Sequence, residues 1–571
     1  MMEATRPGQR RGWLRFAPAV TLLLFLGPVG AGLVGAVLPA FGYLPALGGD
    51  GPSLDPWRRL AAYPGTGSAV GMSLWTGLAA ATLSFTLTTG FAAACHGTRL
   101  FRRMQRLFAP LLAVPHAAFA LGLAFLLAPS GWLLRVLSPW ATGYQWPPDI
   151  ALSPDPYGLN LILALVVKET PFLFLMTLGA LAQVPADRTL AVARGLGYGR
   201  ATAWIKAVLP LVYRQIRLPI LAVVAFSVSV VDVALLLTGS TSPTLAILIM
   251  RWANDPDLAF QFVAAAGACL QLGVALAAIL AWTGGERLVA RLGRRWVMDG
   301  ARGGAEGAAR IATALTVAVA GVGVAALAAM GVWSVARRWR WPDALPSEWS
   351  LGNWAGFSGM AGGPAATTLI VGLVAAVIGL VLVLACLEAE DRAGRRPTSR
   401  ALWLLYTPLI VPQVAFLFGA QVLLLGLGLE GTWGALIWAH LLFVLPYMFL
   451  SLSEPFRRLD PRYARGALCL GAGPNRVFWR IKLPMLTRAV AIALAVGFAV
   501  SVGEYLPTVF AGGGRITTLT TEAVARAGGG DFRVIGVFAV LQAALPLIGF
   551  LLASILPGWL HRHRRGMREG L

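Results

Sequence analysis

The sequence predicts an all-α polytopic membrane protein of about twelve transmembrane helices, arranged as two parallel six-helix repeats. Three observations carry that expectation. The 571 residues are 57% hydrophobic and only 13% charged, with a mean hydropathy of +0.71, so the chain cannot cover itself with polar surface in water. About twelve apolar stretches reach the roughly 20 residues that cross a hydrocarbon core. A short motif also recurs at one fixed offset between the two halves, which marks an internal repeat.

The apolar stretches fall near 13–40, 69–95, 107–128, 158–183, 216–238, 260–283, 309–334, 364–388, 401–426, 433–455, 487–510 and 533–557. The first follows Arg6, Arg10 and Arg11, with Arg15 at its edge. It is longer than the apolar core of a signal peptide, which makes it an uncleaved anchor in this reading. Both termini are then expected to be cytoplasmic. The basic residues agree: the seven segments assigned to that side hold 36 of the 47 Lys/Arg and 11 of the 25 Asp/Glu, the asymmetry expected of cytoplasmic loops. Arg337, Arg338 and Arg340 are a local exception on the outer side.

A sequence pI near 11.1 could suggest nucleic acid, but the positive charge is spread over short segments on one membrane face. Orientation accounts for it, and no nucleic-acid partner is expected. The four cysteines, Cys95, Cys269, Cys386 and Cys469, form neither a disulfide framework nor a Cys-x-x-Cys metal site.

Two halves are expected, 1–295 and 309–571, joined by a small-residue linker over 296–308 that contains Ala301 to Gly307. Leu196-Gly197 is followed, thirteen residues after the Gly, by the Pro of Leu209-Pro210; Leu470-Gly471 is followed in the same way by Leu483-Pro484. Other blocks repeat with small slips of register. Pro171-Phe172-Leu173 answers Pro446-Tyr447-Met448; Phe226 to Ser229 with Asp232 answers Phe498 to Ser501 with Glu504; Thr244-Leu245 answers Thr518-Leu519. Six spans is an even number, so the halves enter the membrane from the same side and are related by an axis along its normal.

The motif lies in two basic loops, 185–215 and 456–488, each following the fourth span of its half. Each reads as a short helix, a corner broken at Gly197 or Gly471, and a second short helix that ends before Pro210 or Pro484. Trp204 aligns with Phe478 and Lys206 with Arg480. One such loop could be a basic amphipathic hairpin lying on headgroups. Two with the same spacing favour paired docking elements for a partner with twofold symmetry.

On these residues the chain resembles the permease subunits of bacterial ABC importers, whose cytoplasmic loop runs Glu-Ala-Ala, three residues, Gly, then a hydrophobic-Leu-Pro ending. The match lies in Ala193, Gly197, Leu209 and Pro210, and in Ala467, Gly471, Leu483 and Pro484. It departs at the family Glu, here Ala191 and Arg465, and at the first Ala, here Val192 and Gly466. The resemblance covers nearly the whole chain as a fused pair of permease domains with the type I importer fold, similar to the thiamine and iron(III) importers and closest to an uncharacterised fused subfamily. It implies a bacterial inner-membrane, multi-pass protein with two copies of an ABC ATPase subunit and an extracytoplasmic solute-binding protein as partners. It further implies that Arg194, Arg200, Lys206, Arg476 and Arg480 face the partner or lipid phosphate, and that no permease homodimer is required because the halves are fused. The chain has no Gly-x-x-x-x-Gly-Lys-Ser/Thr loop, so ATP and Mg belong to the partner subunit, and no catalytic residue, metal site or bound cofactor is expected here.

Ionisable residues at membrane depth are costly and usually face a bundle interior or an aqueous path. Asp232 and Glu504 occupy equivalent places and could attract a cationic solute, thiamine being one candidate; the alternative is a structural hydrogen bond to Ser229, Ser501 or nearby backbone. Lys168 and Glu169 are neighbours whose side chains diverge by about 100° on a helix, so each needs its own partner or the path. His440 either lines that path or packs within the tenth span. One rival class remains: Asp391 to Arg396 resembles part of a major facilitator loop motif, which would make the chain an ion-gradient-driven secondary transporter.

Overall fold

The computed structural model describes residues 13–150, 153, 155–238, 242–394 and 407–560. Helices dominate; the sheet among these residues amounts to two antiparallel two-stranded hairpins, Tyr43–Leu44 with Gly49–Asp50 and Ala336–Arg338 with Glu348–Trp349. The principal helices of the first half are α1 (Ala17–Ala40), α2 (Thr66–Cys95), α3 (Arg99–Ala113), α4 (His116–Leu127), α5 (Leu159–Leu181), α6 (Ala186–Gly195), α7 (Leu209–Ser229), α8 (Asp232–Leu237), α9 (Leu245–Ala253) and α10 (Phe260–Met298). The second half comprises α11 (Glu306–Val335), α12 (Gly362–Ala393), α13 (Gln413–Gly426), α14 (Trp433–Arg457), α15 (Pro461–Cys469), α16 (Thr487–Gly503), α17 (Leu506–Gly512), α18 (Leu519–Ala527) and α19 (Phe532–Leu560).

Among the described residues ten helices are long and apolar enough to cross a membrane, or eleven if the pair Pro474–Met485 and Thr487–Gly503, bent by 76°, is one span. Several expected spans are therefore broken elements. The stretch at 107–128 divides at Pro115, 216–238 at Val230–Val231, and 487–510 at Glu504. The start of the stretch at 401–426 lies outside the described residues, leaving the short helix α13. Proline supplies the first break: it has no N–H and disfavours a helical conformation in the residue before it, and Val114 is accordingly extended.

The two first helices are exchanged between the halves. Helix α1 packs along α13, α10 and α12, while α11 packs along α4, α19 and α2. The crossings need glycine because backbone meets backbone. A Cβ on Gly419 would fall 1.8 Å from the Gly32 carbonyl oxygen, and one on Gly122 would fall 2.5 Å from that of Ala326. Such close approach is how helices gain dispersion contacts where lipid leaves no hydrophobic drive. Paired polar contacts mark the same exchange: Cys386 Sγ meets Thr21 Oγ1 at 3.1 Å, and Cys95 Sγ meets Thr313 Oγ1 at 3.7 Å.

The repeated Thr-Leu blocks also have a common structural use. The Leu245 N–H donates to Ser73 Oγ at 3.0 Å and the Leu519 N–H to Thr368 Oγ1 at 2.9 Å, tying the starts of α9 and α18 to α2 and α12. Each tie satisfies a backbone donor at a helix start that has no partner within its own helix.

Exchange of the first helices makes a direct prediction. Thr21→Cys should form an oxidative cross-link with Cys386, and Thr313→Cys one with Cys95. After proteolysis at a site engineered between Ala301 and Gly304, either cross-link should hold the two halves together on a non-reducing gel. Separation of the halves in both variants would contradict the exchanged arrangement.

Candidate functional site

Both loops carry the Gly corner expected of them. Gly197 and Gly471 have φ of +87° and +83°, the left-handed region that a side chain with a Cβ resists. Helices α6 and α15 lead into the corners, and Val192, Leu196, Leu468 and Leu470 are exposed along them. Ala193 and Ala467, by contrast, are half-buried on the inner side of the corner.

The Leu-Pro ending has a structural reason that spacing did not reveal. A single π-helical segment precedes it in each copy, Trp204–Val208 and Phe478–Lys482. Pro210 and Pro484 lack the N–H for the usual helical bond, and their rings would strike the carbonyls four residues earlier. A π-turn widens the helix at that point, so the first copy enters α7 without a full stop, while the second passes Pro484 within Leu483–Met485 and then bends by 76° at Leu486 before α16. Trp204 and Phe478 are buried at equivalent places in these segments.

The loops differ in what holds them. The 296–308 connector lies on the first. The Gly199 N–H donates to the Arg302 carbonyl at 2.7 Å, and Thr202 Oγ1 donates to Glu306 Oε1 at 3.0 Å. Lys206 donates to Asp299 Oδ1 at 3.1 Å and to the Ala301 carbonyl at 2.8 Å, with its ammonium 4.5 Å from the Trp296 ring. Lys206 is thus turned toward its own chain, away from any partner, because the connector presents oxygen acceptors and an aromatic face there. Arg200 likewise donates to the His96 carbonyl, whereas Arg194, Arg476 and Arg480 are exposed. The Ala301 N–H and Lys206 together hold the Asp299 carboxyl below the usual carboxylate range, so this ion pair persists at neutral pH and is lost only as the pH falls through that lowered value.

No equivalent strap is seen on the second loop among the described residues. Its base is fixed instead by Lys482, which donates to Glu388 Oε2 at 2.7 Å and Asp391 Oδ2 at 2.5 Å at the end of α12. Asp391, the residue behind the major facilitator resemblance, is therefore part of the loop's footing; Arg395 and Arg396 of that segment lie outside the described residues.

Within the membrane the ionisable residues sort into braces and a cluster. Lys168, 3% exposed, donates to the carbonyls of Leu111, Leu112 and Val114 at 3.0, 3.3 and 2.5 Å. It satisfies the orphan acceptors where α3 stops before Pro115, each of which would cost about 1–3 kcal/mol if left unpaired. His440, 1% exposed, bridges Ser501 Oγ at 2.7 Å through Nδ1 and Thr508 Oγ1 at 3.0 Å through Nε2, spanning the break between α16 and α17. Glu169 points elsewhere, to His116 Nε2 at 3.4 Å.

Asp232 and Glu504 sit at the equivalent breaks α7/α8 and α16/α17 and interact electrostatically with each other; Asp232 also interacts with His116. The serines do not take these carboxylates: Ser229 Oγ donates to the Ala225 carbonyl and Ser501 is engaged by His440. His116 was not singled out by charge counting. The usable signal was a repeat at a different offset, Val114-Pro115-His116 against Val411-Pro412-Gln413, with Ala118-Phe119 against Ala415-Phe416. No three His, Cys, Asp or Glu side chains converge as a metal site among the described residues.

Comparison with known proteins extends these observations over the whole length. The chain is 32% identical over 559 residues to the inner membrane ABC transporter permease protein YnjC of Escherichia coli K12, covering 97% of this chain and 99% of that protein. Shorter matches include the putrescine transport system permease protein PotI of the same organism, 30% identical over 223 residues, or 37% of this chain and 75% of PotI. Another is the molybdenum transport system permease protein ModB of Mycobacterium tuberculosis, 28% identical over 147 residues, or 24% of this chain and 56% of ModB. No protein-family model matches the chain.

The strap on the first loop is testable by itself. Thr202→Val removes a buried hydroxyl that joins the loop to Glu306, a loss of about 1–2 kcal/mol. Tryptic cleavage at Arg200 should accelerate by about tenfold, with cleavage at Arg476 in the second loop unchanged. Equal rates at Arg200 in both proteins would show that the connector does not hold the loop.

Proposed function

The chain belongs to the ABC transporter permeases, and from that premise we propose that its two fused halves form one translocation pathway driven through the corner loops by separate ATPase subunits. The observation that carries this reading is the doubled loop geometry: the same left-handed Gly corner and the same π-turn before Leu-Pro, in two places related by the internal repeat. A pair of equivalent projections suits a dimeric engine. The chain is accordingly read as the membrane subunit of an importer, a transport component rather than an enzyme.

In this reading the halves are 1–295 and 309–571, with 296–308 as the cytoplasmic connector, so a single chain replaces a permease dimer. Two ATPase copies dock on 185–215 and 456–488, through Ala193, Arg194 and Gly197 in one loop and Ala467, Gly471 and Arg480 in the other. Lys206, Pro210 and Pro484 shape the loops from behind. Neither copy has the family Glu, so apolar contacts of Val192, Leu196, Leu468 and Leu470 carry more of the docking. Both termini and both loops are cytoplasmic, and an extracytoplasmic binding protein delivers solute to the opposite face. ATP and Mg act only in the partner.

The cargo is proposed to be a small cation, thiamine being one candidate and iron(III) another. The carboxyl groups of Asp232, Glu504 and Glu169 support that choice, because a passing cation would favour their ionised form and pair with it, which an anion cannot do. The relatives PotI and ModB are named for putrescine and molybdenum, so membership of the family does not select a cargo.

Coupling can be tested at the second corner, which is open and free of the connector. At φ of +83° a β-branched residue costs about 1–2 kcal/mol, whereas Asn tolerates the conformation. Gly471→Val should lower ATP-dependent uptake at least tenfold in proteoliposomes containing the ATPase and binding protein, while insertion is unchanged and Gly471→Asn keeps most activity. Full uptake by Gly471→Val would argue against docking at this corner.

A further inference from the structure

We infer that Asp232, Glu504 and Glu169, with His116 among them, form a cation-selective station in the membrane interior, built for a delocalised organic cation rather than a metal ion. This deepens, and rests on, the importer reading above.

The parts come from both halves. Helix α8, which begins at Asp232, packs on α4, which begins at His116. From the other half, Gly503 lies beside Pro115, a Cβ on it standing 3.6 Å from the proline ring, and Glu504 follows directly. Glu169 joins through its 3.4 Å contact with His116, and Asp232 is within electrostatic range of His116, Glu504 and Tyr505. The neighbouring cation Lys168 is within electrostatic range of Glu169, but its hydrogen bonds are all committed to three backbone carbonyls.

Glu504 points to a ligand independently of the clustering. It is 9% exposed, and its side chain has neither a hydrogen bond nor an ion pair among the described residues. Even so, its carboxylate is not among the fully sealed groups without partners, so it faces space that water can enter. Burying a carboxylate without a partner is expensive, and a passing cation would supply the missing partner. The extended backbone at Val230 and at Glu504 itself removes the helix from the points where these carboxylates stand.

The class of cation follows from the surroundings. A bare metal ion needs several converging oxygen, nitrogen or sulfur ligands, and no such set converges among the described residues. Aromatic groups are present instead: the Phe226 ring is 5.0 Å from that of His116, and Tyr505 adjoins Glu504. Carboxylates acting over a distance, beside aromatic faces, suit a quaternary or ring-delocalised cation. His116 is the group that contacts Glu169, and Gln413 stands at its place in the second half.

A reporter thiol tests this without knowing the cargo. Ser229, at the end of α7 and three residues before Asp232, is changed to Cys in a chain whose four native cysteines are Ser. The chain is placed in nanodiscs with its ATPase and supplied with ATP. Rates of modification by a trimethylammonium and by a sulfonate methanethiosulfonate reagent are each normalised to a free thiol in solution. The normalised rate for the cationic reagent should exceed that for the anionic one by about tenfold, the focusing expected of a site lined by one sign of charge. Asp232→Asn with Glu504→Gln should bring the ratio close to one, and Glu504→Asp should retain it. A thiol that reacts with neither reagent, a ratio favouring the anion, or a ratio unmoved by the double change would overturn the station. None of these outcomes bears on whether the wild-type assembly takes up solute with ATP, which tests the importer reading separately.

Discussion

In hydrocarbon every backbone N–H and C=O must find a partner within the protein, and this architecture depends on how it meets that demand where helices are broken. The breaks at Pro115, Val230–Val231 and Glu504 are what allow short helices to approach the interface of the two halves. Each would expose acceptors to lipid if left bare. Lys168 answers the demand at the end of α3; at α16/α17 Thr508 donates to the Glu504 carbonyl and Thr520 to the Val502 carbonyl, with His440 holding Thr508 in place. Charged or polar residues deep in the membrane are thus first of all what makes an interrupted backbone affordable, and only those left over are free to meet a solute.

The repeat is strict in backbone and loose in side chains. Exchanged first helices, hairpins after each of them, Gly corners and π-turns all recur, because each answers a geometric requirement that both halves share. The braces do not recur. Lys168 corresponds to Phe443, His440 to Leu165 and His116 to Gln413, so the first half braces its break at Pro115 with an ammonium, and the second braces a different break, α16/α17, with an imidazole. Fusion adds a further inequality, since the connector reaches the first corner and leaves the second open. Once two halves share a chain, nothing requires their side chains to remain alike.

Much of this was legible in the sequence where the physics is local. Hydropathy gave the membrane and the helices; Leu-Gly and Leu-Pro spacing gave the two corners; a proline preceded by the β-branched Val114 could have given the break at Pro115. The number of crossings was not legible, because a stretch such as 487–510 has the composition of one span whether it is straight or bent. The roles of Lys168 and Glu169 also stayed open, since adjacent residues on a helix diverge and their partners, Val114 and His116, lie more than fifty positions away in sequence. Lys206 looked like a free basic residue of the loop until the connector, nearly a hundred residues later, was seen to fold back on it.

The central proposal is mechanical: ATP in a partner would move two corners of this chain and so open a path between its halves. The most direct measurement is the distance between spin labels at the exposed positions 194 and 465 of the two loops, in the chain assembled with its ATPase. ATP bound but not hydrolysed should bring the loops measurably closer, and hydrolysis should release them. An unchanged distance, together with solute uptake that runs on an ion gradient without ATP, would contradict it.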